Sequence, residues 1–262
     1  MRFARVAYAG SIHWAYPHAQ GVQLADGRVL HEQALVWLPP VQPGAVIALG
    51  LNYRDHVQEL RGELTLSAQD EPLVFLKTAS SLIGHRGQTR RPQGTRFMHY
   101  ECELAVVIGT QAKAVAQSEA MNHVAGYTVC NDYAIRDLLE NWYRPNFPVK
   151  NRDGGTVLGP WFVSADEVAD PHNLKLSTTV NGELRQTGHT GNMVHSIPAL
   201  IEYLSAFMTL SPGDVILTGT PEGVSNVNEG DVVVCEVEGI GRLSNTLVGD
   251  AAFGINQAQQ SL

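Results

Sequence analysis

"YECELAVVIG", residues 100–109, is the stretch on which the reading of this chain turns. From Leu104 to Ile108 every residue is apolar, so both faces of a strand here are hydrophobic. That is the pattern of a strand covered on both sides. Glu101 and Glu103 stand just ahead of the run. Side chains at i and i+2 of a strand share a face, so two carboxylates lie side by side. Like charges that close repel, and burial raises the cost. A solvent-facing pair on an edge strand is the plain explanation; a pair awaiting a cation is the functional one. Periodicity alone leaves both open.

Working outward, strands dominate. "AVIALGLNY", "PLVFLK" (72–77), "GYTVCND" (126–132) and "GDVILTGTPEGV" each read as a strand, the first and last running into loops. "GVQLADGRVLHE" is a hairpin turning at Asp26-Gly27, and "LKLSTTVNGELRQT" one turning at Asn181-Gly182. "DVVVCEVEGIGRLSNTLV" is a third. Helical signals are fewer: "RDHVQEL", "SEAMNHVA" with Ser118 as N-cap, "AIRDLLENWY" and "SIPALIEYLSAFM". In the last, Ile197, Leu200, Ile201, Leu204 and Met208 recur at helical spacing, a core-packing stripe. "WLPPVQPG" punctuates the chain and predicts a small N-terminal β domain over 1–43, with the main domain over 44–262. Neither a βαβ alternation nor a strand followed by GxGxxG is present, which argues against a Rossmann fold. The expected class is a β-rich, mostly antiparallel α+β fold.

The bulk numbers narrow the function. The 262 residues are enough for a sizeable core, and 44% hydrophobic with 17% charged is ordinary for a globular chain. With 18 Lys+Arg against 26 Asp+Glu the net charge is -8, which argues against nucleic-acid binding. Cys102, Cys130 and Cys235 each sit in an apolar run and read as buried free thiols, in keeping with a reducing cytoplasm. "MRFARVAYAGSIHWAYP" has no long apolar segment, and no stretch approaches a membrane span of roughly 20 residues. A cytoplasmic protein without membrane contact is expected.

Several polar groups ask for a reason. Asp132 ends the apolar strand "GYTVC", at a strand mouth like the glutamates. Converging there, Glu101, Glu103 and Asp132 would repel unless a divalent cation neutralised them. An all-oxygen set favours Mg²⁺, Mn²⁺ or Ca²⁺ over Zn²⁺. His99, on the same strand face, ranks below the carboxylates as a ligand. His56 and Glu59 are i and i+3 in "RDHVQEL", the spacing of an acid/base pair on one helix face, and equally of an incidental surface pair. Arg136, Arg144, Lys150 and Arg152 cluster in an otherwise acidic chain, Lys150 in the loop-like "NFPVKNRDGG". They describe either a solvated face or a pocket for a polyanion. In "LTGTPEGV" the P-loop lysine is missing, and Thr218 and Thr220 are candidate donors to a substrate oxygen.

Taken in order, "GLNYRDHVQEL", "VFLK", "HYECELAVVIG", "NDYAIRD", "VKNRDGG", "LTGTPEGV" and "GIGRLSNTLV" resemble the fumarylacetoacetate hydrolase superfamily over about residues 45–250. The chain looks most like the branch acting as isomerase and decarboxylase in 4-hydroxyphenylacetate (homoprotocatechuate) degradation. The resemblance implies a mixed β-roll or sandwich with a small N-terminal β domain. It implies a homodimer, with a homologous partner subunit as a further option. It assigns Mg²⁺ or Mn²⁺, with Ca²⁺ as another candidate, to Glu101, Glu103 and Asp132. It matches His56 and Glu59 to an acid/base dyad and Lys150 to an active-site lysine. Thr220, Arg136, Arg152 and Lys77 fall to the binding of a small polycarboxylate. The implied reactions are decarboxylation of 5-oxopent-3-ene-1,2,5-tricarboxylate and isomerisation of 2-hydroxyhepta-2,4-diene-1,7-dioate through a metal-stabilised enolate. Acylpyruvate hydrolysis or oxaloacetate decarboxylation is the alternative. Where many hydrolytic members carry Lys-x-Phe-Asp, this chain has Lys150-Asn-Arg-Asp153, and the extra arginine suits an additional substrate carboxylate.

Overall fold

A computed structural model gives the fold, and the structure describes residues 1–59, 71–138 and 147–254. The stretch 100–109 contains the strand Cys102–Ile108, buried at every position. It is an interior strand, flanked by Val124–Asp132 on one side and Val215–Leu217 on the other. Alternation sends Leu104, Val106 and Ile108 into the principal core and Ala105 and Val107 into a second cluster on the opposite face. The apolar run is continuous because both faces are covered.

This strand lies within a 12-stranded sheet. Beyond Val124–Asp132 come Thr156–Ser164 and then the N-terminal strand Arg2–Tyr8. Beyond Val215–Leu217 come Val46–Gly50 and the strand Leu73–Lys77. A five-stranded sheet packs on the principal core side, and a two-stranded sheet pairs Met98–His99 with Ala134–Ile135. Most pairings are antiparallel; Val46–Gly50 with Val215–Leu217, Leu82–Gly84 with Thr156–Ser164, and Gln88–Arg90 with Gly241–Val248 run parallel. The result is a strand-rich fold of mixed sheets. The N-terminal strands keep a small core of their own, built on Val6, Val22, Leu24 and Trp37, while Arg2–Tyr8 pairs with Thr156–Ser164.

The hairpin at Asn181-Gly182 forms with both residues at positive φ (51° and 84°), as a tight twisted turn requires. The helix Ile197–Phe207 starts at Ser196, whose side chain accepts from the Ala199 N–H, and has a proline in its first turn. It buries Ile197, Leu200, Ile201 and Leu204 against the principal core.

Three local expectations are corrected. Ser118 lies inside the short helix Gln117–Ala120, and Ala116 takes the cap position without a side-chain hydrogen bond. "AIRDLLENWY" does not begin as a helix: Ala134–Ile135 is a strand and Arg136–Leu138 a 3-10 turn. Pairing with Met98–His99 outweighs the local propensity there. Residues 139–146, with Arg144, lie outside the described residues. Lys150 closes the helical turn Phe147–Lys150 where a loop was expected.

Candidate metal centre and active site

The register of two neighbouring strands assembles the acidic cluster. Glu103 pairs with Cys130, and the Asp132 N–H donates to the Glu101 carbonyl at 3.0 Å. Glu101, Glu103 and Asp132 therefore fall on one face at the mouth of the strand pair. Each offers a carboxylate oxygen, and these atoms all lie within 4.8 Å of one another. All three residues are buried, at 7%, 1% and 0% exposure.

The cations around them are unevenly shared. Lys150 Nζ donates to Glu101 Oε2 at 2.5 Å and to Asp132 Oδ2 at 3.0 Å. Arg136 donates to Glu101 Oε1 at 2.6 Å from the 3-10 turn. Lys77, its side chain wholly buried, donates to Asp132 Oδ1 at 2.5 Å and to the Lys150 carbonyl. Burial alone would favour the neutral acid at Glu101, but the charges of Lys150 and Arg136 outweigh it and hold its pKa down. Burial also works against the Lys150 ammonium, and Asp132 and Glu101 overcome it and raise its pKa.

Glu103 is different. Its hydrogen-bond partner is the Gly219 N–H, at 2.6 Å to Oε2, and no ion pair reaches it among the described residues. Burial, then the charges of Asp132 and Glu101, push its pKa well above the carboxylate range. The Tyr53 hydroxyl is buried, and burial, then the Glu103 charge, push its pKa well above the usual phenol range. A buried carboxylate facing two others is what a hard cation relieves. The all-oxygen cluster can thus bind a metal ion and fits a divalent one.

The remaining candidates separate by distance from this cluster. His56 is buried on the helix Arg54–Glu59, close enough that its charge favours ionised Glu101. The Glu59 side chain lies outside the described residues. Thr220 is buried, and its Oγ1 accepts from Gln186 Nε2 at 2.9 Å, which leaves the hydroxyl proton to donate. Arg152 Nε donates to the Pro148 carbonyl at 3.1 Å, and no hydrogen bond or ion pair joins it to the acidic cluster among the described residues. Cys102, Cys130 and Cys235 are buried free thiols. No helix among the described residues is long and apolar enough to cross a membrane.

Sequence reasoning missed two supports. Asn52 accepts from the His195 N–H at 2.8 Å and donates to the carbonyls of Thr218 (2.9 Å) and His195 (3.1 Å). It ties the segment before the His56 helix to two loops. Gly219 adopts φ +88°, and a Cβ there would meet Asn52 Cβ at 3.0 Å. Its place after "LT" in a strand-to-loop turn was the only available signal.

The fold and the carboxylate cluster define the class of protein. The chain belongs to the fumarylacetoacetate hydrolase family: the family description "Fumarylacetoacetate (FAA) hydrolase C-terminal" matches residues 45–248. Among its relatives is the 4-hydroxyphenylacetate degradation bifunctional isomerase/decarboxylase of Salmonella dublin, 53% identical over 232 residues, covering 88% of this chain and 53% of the relative. The chain thus spans about half the length of such bifunctional relatives. A mitochondrial oxaloacetate tautomerase of Bos taurus is 41% identical, covering 74% of this chain and 87% of the relative. The crystal structure of 5-carboxymethyl-2-hydroxymuconate delta-isomerase from Mycobacterium smegmatis superposes with a TM-score of 0.83 at 36% identity, covering 95% of this chain and 99% of that one.

Proposed function

We propose that the chain catalyses decarboxylation of 5-oxopent-3-ene-1,2,5-tricarboxylate, isomerisation of 2-hydroxyhepta-2,4-diene-1,7-dioate, or both, in the breakdown of 4-hydroxyphenylacetate. The observation that carries this reading is the convergence of a buried three-carboxylate cluster, Lys150, Arg136 and His56 in one site. The bifunctional relative and the muconate isomerase support the choice of substrates.

In this reading Glu101, Glu103 and Asp132 hold Mg²⁺ or Mn²⁺, with Ca²⁺ also compatible with the oxygen set. Bound there, the cation supplies Lewis-acid polarisation of the carboxylate and keto oxygens of a 2-oxo acid. Lys150 and Arg136 bind and orient the remaining substrate carboxylates, with Arg152 as a further cation. The Thr220 hydroxyl donates to a substrate oxygen. Loss of CO₂ leaves an electron pair conjugated with the 2-oxo group, and His56, oriented by Glu59, returns a proton to carbon. The isomerase step uses the same shuttle, removing a proton from one carbon or oxygen and delivering it to another. The low-water setting comes from the buried strands on either side of the cluster.

The test is a panel of acids with Mg²⁺, Mn²⁺ or EDTA, followed by CO₂ release and enol absorbance. Turnover of the tricarboxylate or the dienol is expected, lost in EDTA, and reduced by about 10²–10⁴ in His56→Ala. Hydrolysis of acetylpyruvate with no action on either acid would reject the proposal. Oxaloacetate belongs in the panel because the bovine tautomerase shares this fold region at 41% identity; turnover of oxaloacetate alone would favour that second reading.

A further inference from the structure

Away from the carboxylates, a concavity of about 470 Å³ opens between the N-terminal strands and the five-stranded sheet. That volume suits a ligand of drug-like or smaller size, for which pockets run from ~300 to ~1,000 Å³. None of its lining residues belongs to the acidic cluster. Trp37 and Trp161 contribute to its wall, edge to face with ring centroids 5.3 Å apart. Trp37 also stands edge-on to His85, at 4.9 Å. This wall is held by close backbone packing: a Cβ on Gly84 would lie 2.2 Å from the Trp37 carbonyl oxygen.

His85 and Arg86 are fixed by one residue of the facing sheet. The Ser244 N–H donates to His85 Nδ1 at 3.0 Å, and the Arg86 N–H donates to the Ser244 carbonyl at 2.6 Å. With Nδ1 accepting, the ring proton of neutral His85 belongs on Nε2. His85 is 8% exposed and lines the concavity, and no hydrogen bond from its Nε2–H is made among the described residues. Burial, then the Arg86 charge, lower its pKa from 6.5 to about 4, so it is a neutral donor near pH 7. Arg86 sits at φ 60°, a conformation that a residue with a Cβ adopts where its surroundings impose it and that clusters at functional sites.

Two guanidinium groups line the same space, Arg86 and Arg242. Their ion pairs are loose and wet. Arg86 lies 3.6 Å from Glu32, with side chains 41% and 45% exposed; Arg242 lies 3.2 Å from Glu236, at 67% and 49%. Exposed pairs of this kind contribute little, so both forks keep donor capacity for a ligand.

We propose that this concavity is an accessory binding site for a small aromatic carboxylate, its ring against Trp37 and Trp161 and its anion between Arg86, Arg242 and the His85 Nε2–H. A cationic ligand has the wrong sign. Two guanidiniums outweigh Glu32, and the unused imidazole nitrogen is a donor. An aliphatic carboxylate forgoes the indole wall, where ring–ring contacts add to what area burial alone supplies.

Phenylacetate is the probe, titrated into EDTA-treated full-length protein by calorimetry and tryptophan fluorescence, with acetate and benzylamine as controls. Saturable one-to-one binding is expected for phenylacetate, with both controls weaker by about tenfold or more, ~1.4 kcal/mol. Arg242→Gln and Trp161→Leu are each expected to weaken phenylacetate by about tenfold, while Glu101→Ala, which alters the acidic cluster, leaves it in place. Arg242 is exposed and outside the acidic cluster, so its variant keeps the fold and the turnover and decides the matter if Trp161→Leu misfolds. Equal binding of acetate, preference for benzylamine, loss of binding in Glu101→Ala, indifference to Arg242→Gln, or no saturable binding of phenylacetate overturns the proposal.

Discussion

Glu103 and Lys150 divide the electrostatic problem of the site between them. Lys150 pairs with Glu101 and Asp132, and no ion pair reaches Glu103 among the described residues. Its ammonium would compete with a metal bound there for the same oxygens. Lys150→Met is therefore expected to keep or strengthen Mg²⁺-dependent thermal stabilisation while turnover falls by about 10² or more; thermal melts with Mg²⁺ and EDTA, beside the activity assay, check both halves. If stabilisation vanishes with turnover, Lys150 is an organiser of the metal ligands instead. His85 makes a separate prediction. Its pKa falls on folding, from 6.5 to about 4, so the stability it contributes is complete above the unfolded value and lost as pH drops toward the folded one. The shift corresponds to about 3 kcal/mol. Wild type is expected to lose up to about that much more than His85→Gln between about pH 7 and pH 4, measured by urea unfolding. Parallel pH curves would show that His85 charges without penalty.

At the level of elements, the short helix Arg54–Glu59 depends on what precedes it. Six residues make a helix that is not stable alone, so its placement is tertiary. Asn52 supplies much of that placement through its bonds to His195 and Thr218. Asn52→Ala removes these and strands buried backbone groups, at about 1–3 kcal/mol for each one left unpaired. With His56 no longer fixed, kcat is expected to fall by about tenfold or more while the Mg²⁺-induced rise in Tm is retained. A loss of the metal response with unchanged kcat would assign Asn52 to the wrong element. The elements also show where sequence reading succeeds. Long alternating or apolar strands and the Asn181-Gly182 turn were legible because period and turn chemistry are local properties. The helix expected from Ala134 failed because a two-residue ladder with Met98–His99 claimed its start. Ser118 is not the cap because the helix already starts at Gln117, with Ala116 in the cap position.

Across the whole molecule, the proposed metal site would link metal, protons and stability. In the metal-free protein the raised pKa of Glu103 means its proton stabilises the fold below the unfolded carboxyl value, an advantage lost as pH rises through the folded one. A bound cation uses the ionised form, so its binding releases that proton and strengthens with pH. The Tm difference between Mg²⁺ and EDTA is expected to widen from about pH 6 to about pH 8, and to shrink in Glu103→Gln. At a metal concentration a hundred times Kd, the stabilisation amounts to about 2.7 kcal/mol. A difference that does not change with pH would remove Glu103 from the metal site.

The strand-rich character, the apolar central strand and the identity of the three acidic residues are legible in the amino-acid order, since they follow from local period and from the order of short motifs. The same order also held Lys150 and Arg136 as cations in search of an anion. That the central strand is interior, with a partner on each side, comes from the three-dimensional fold. The opposition of Glu101 and Asp132, and the turn of Gly219 toward Glu103, likewise depend on register and on contacts 116 residues apart in the chain. The reason is physical: which side chains share a face is written into spacing, but which faces meet is settled by the packing of the whole core. The glutamates at 101 and 103 were ambiguous for that reason, and the neighbouring strand removed the ambiguity by burying them.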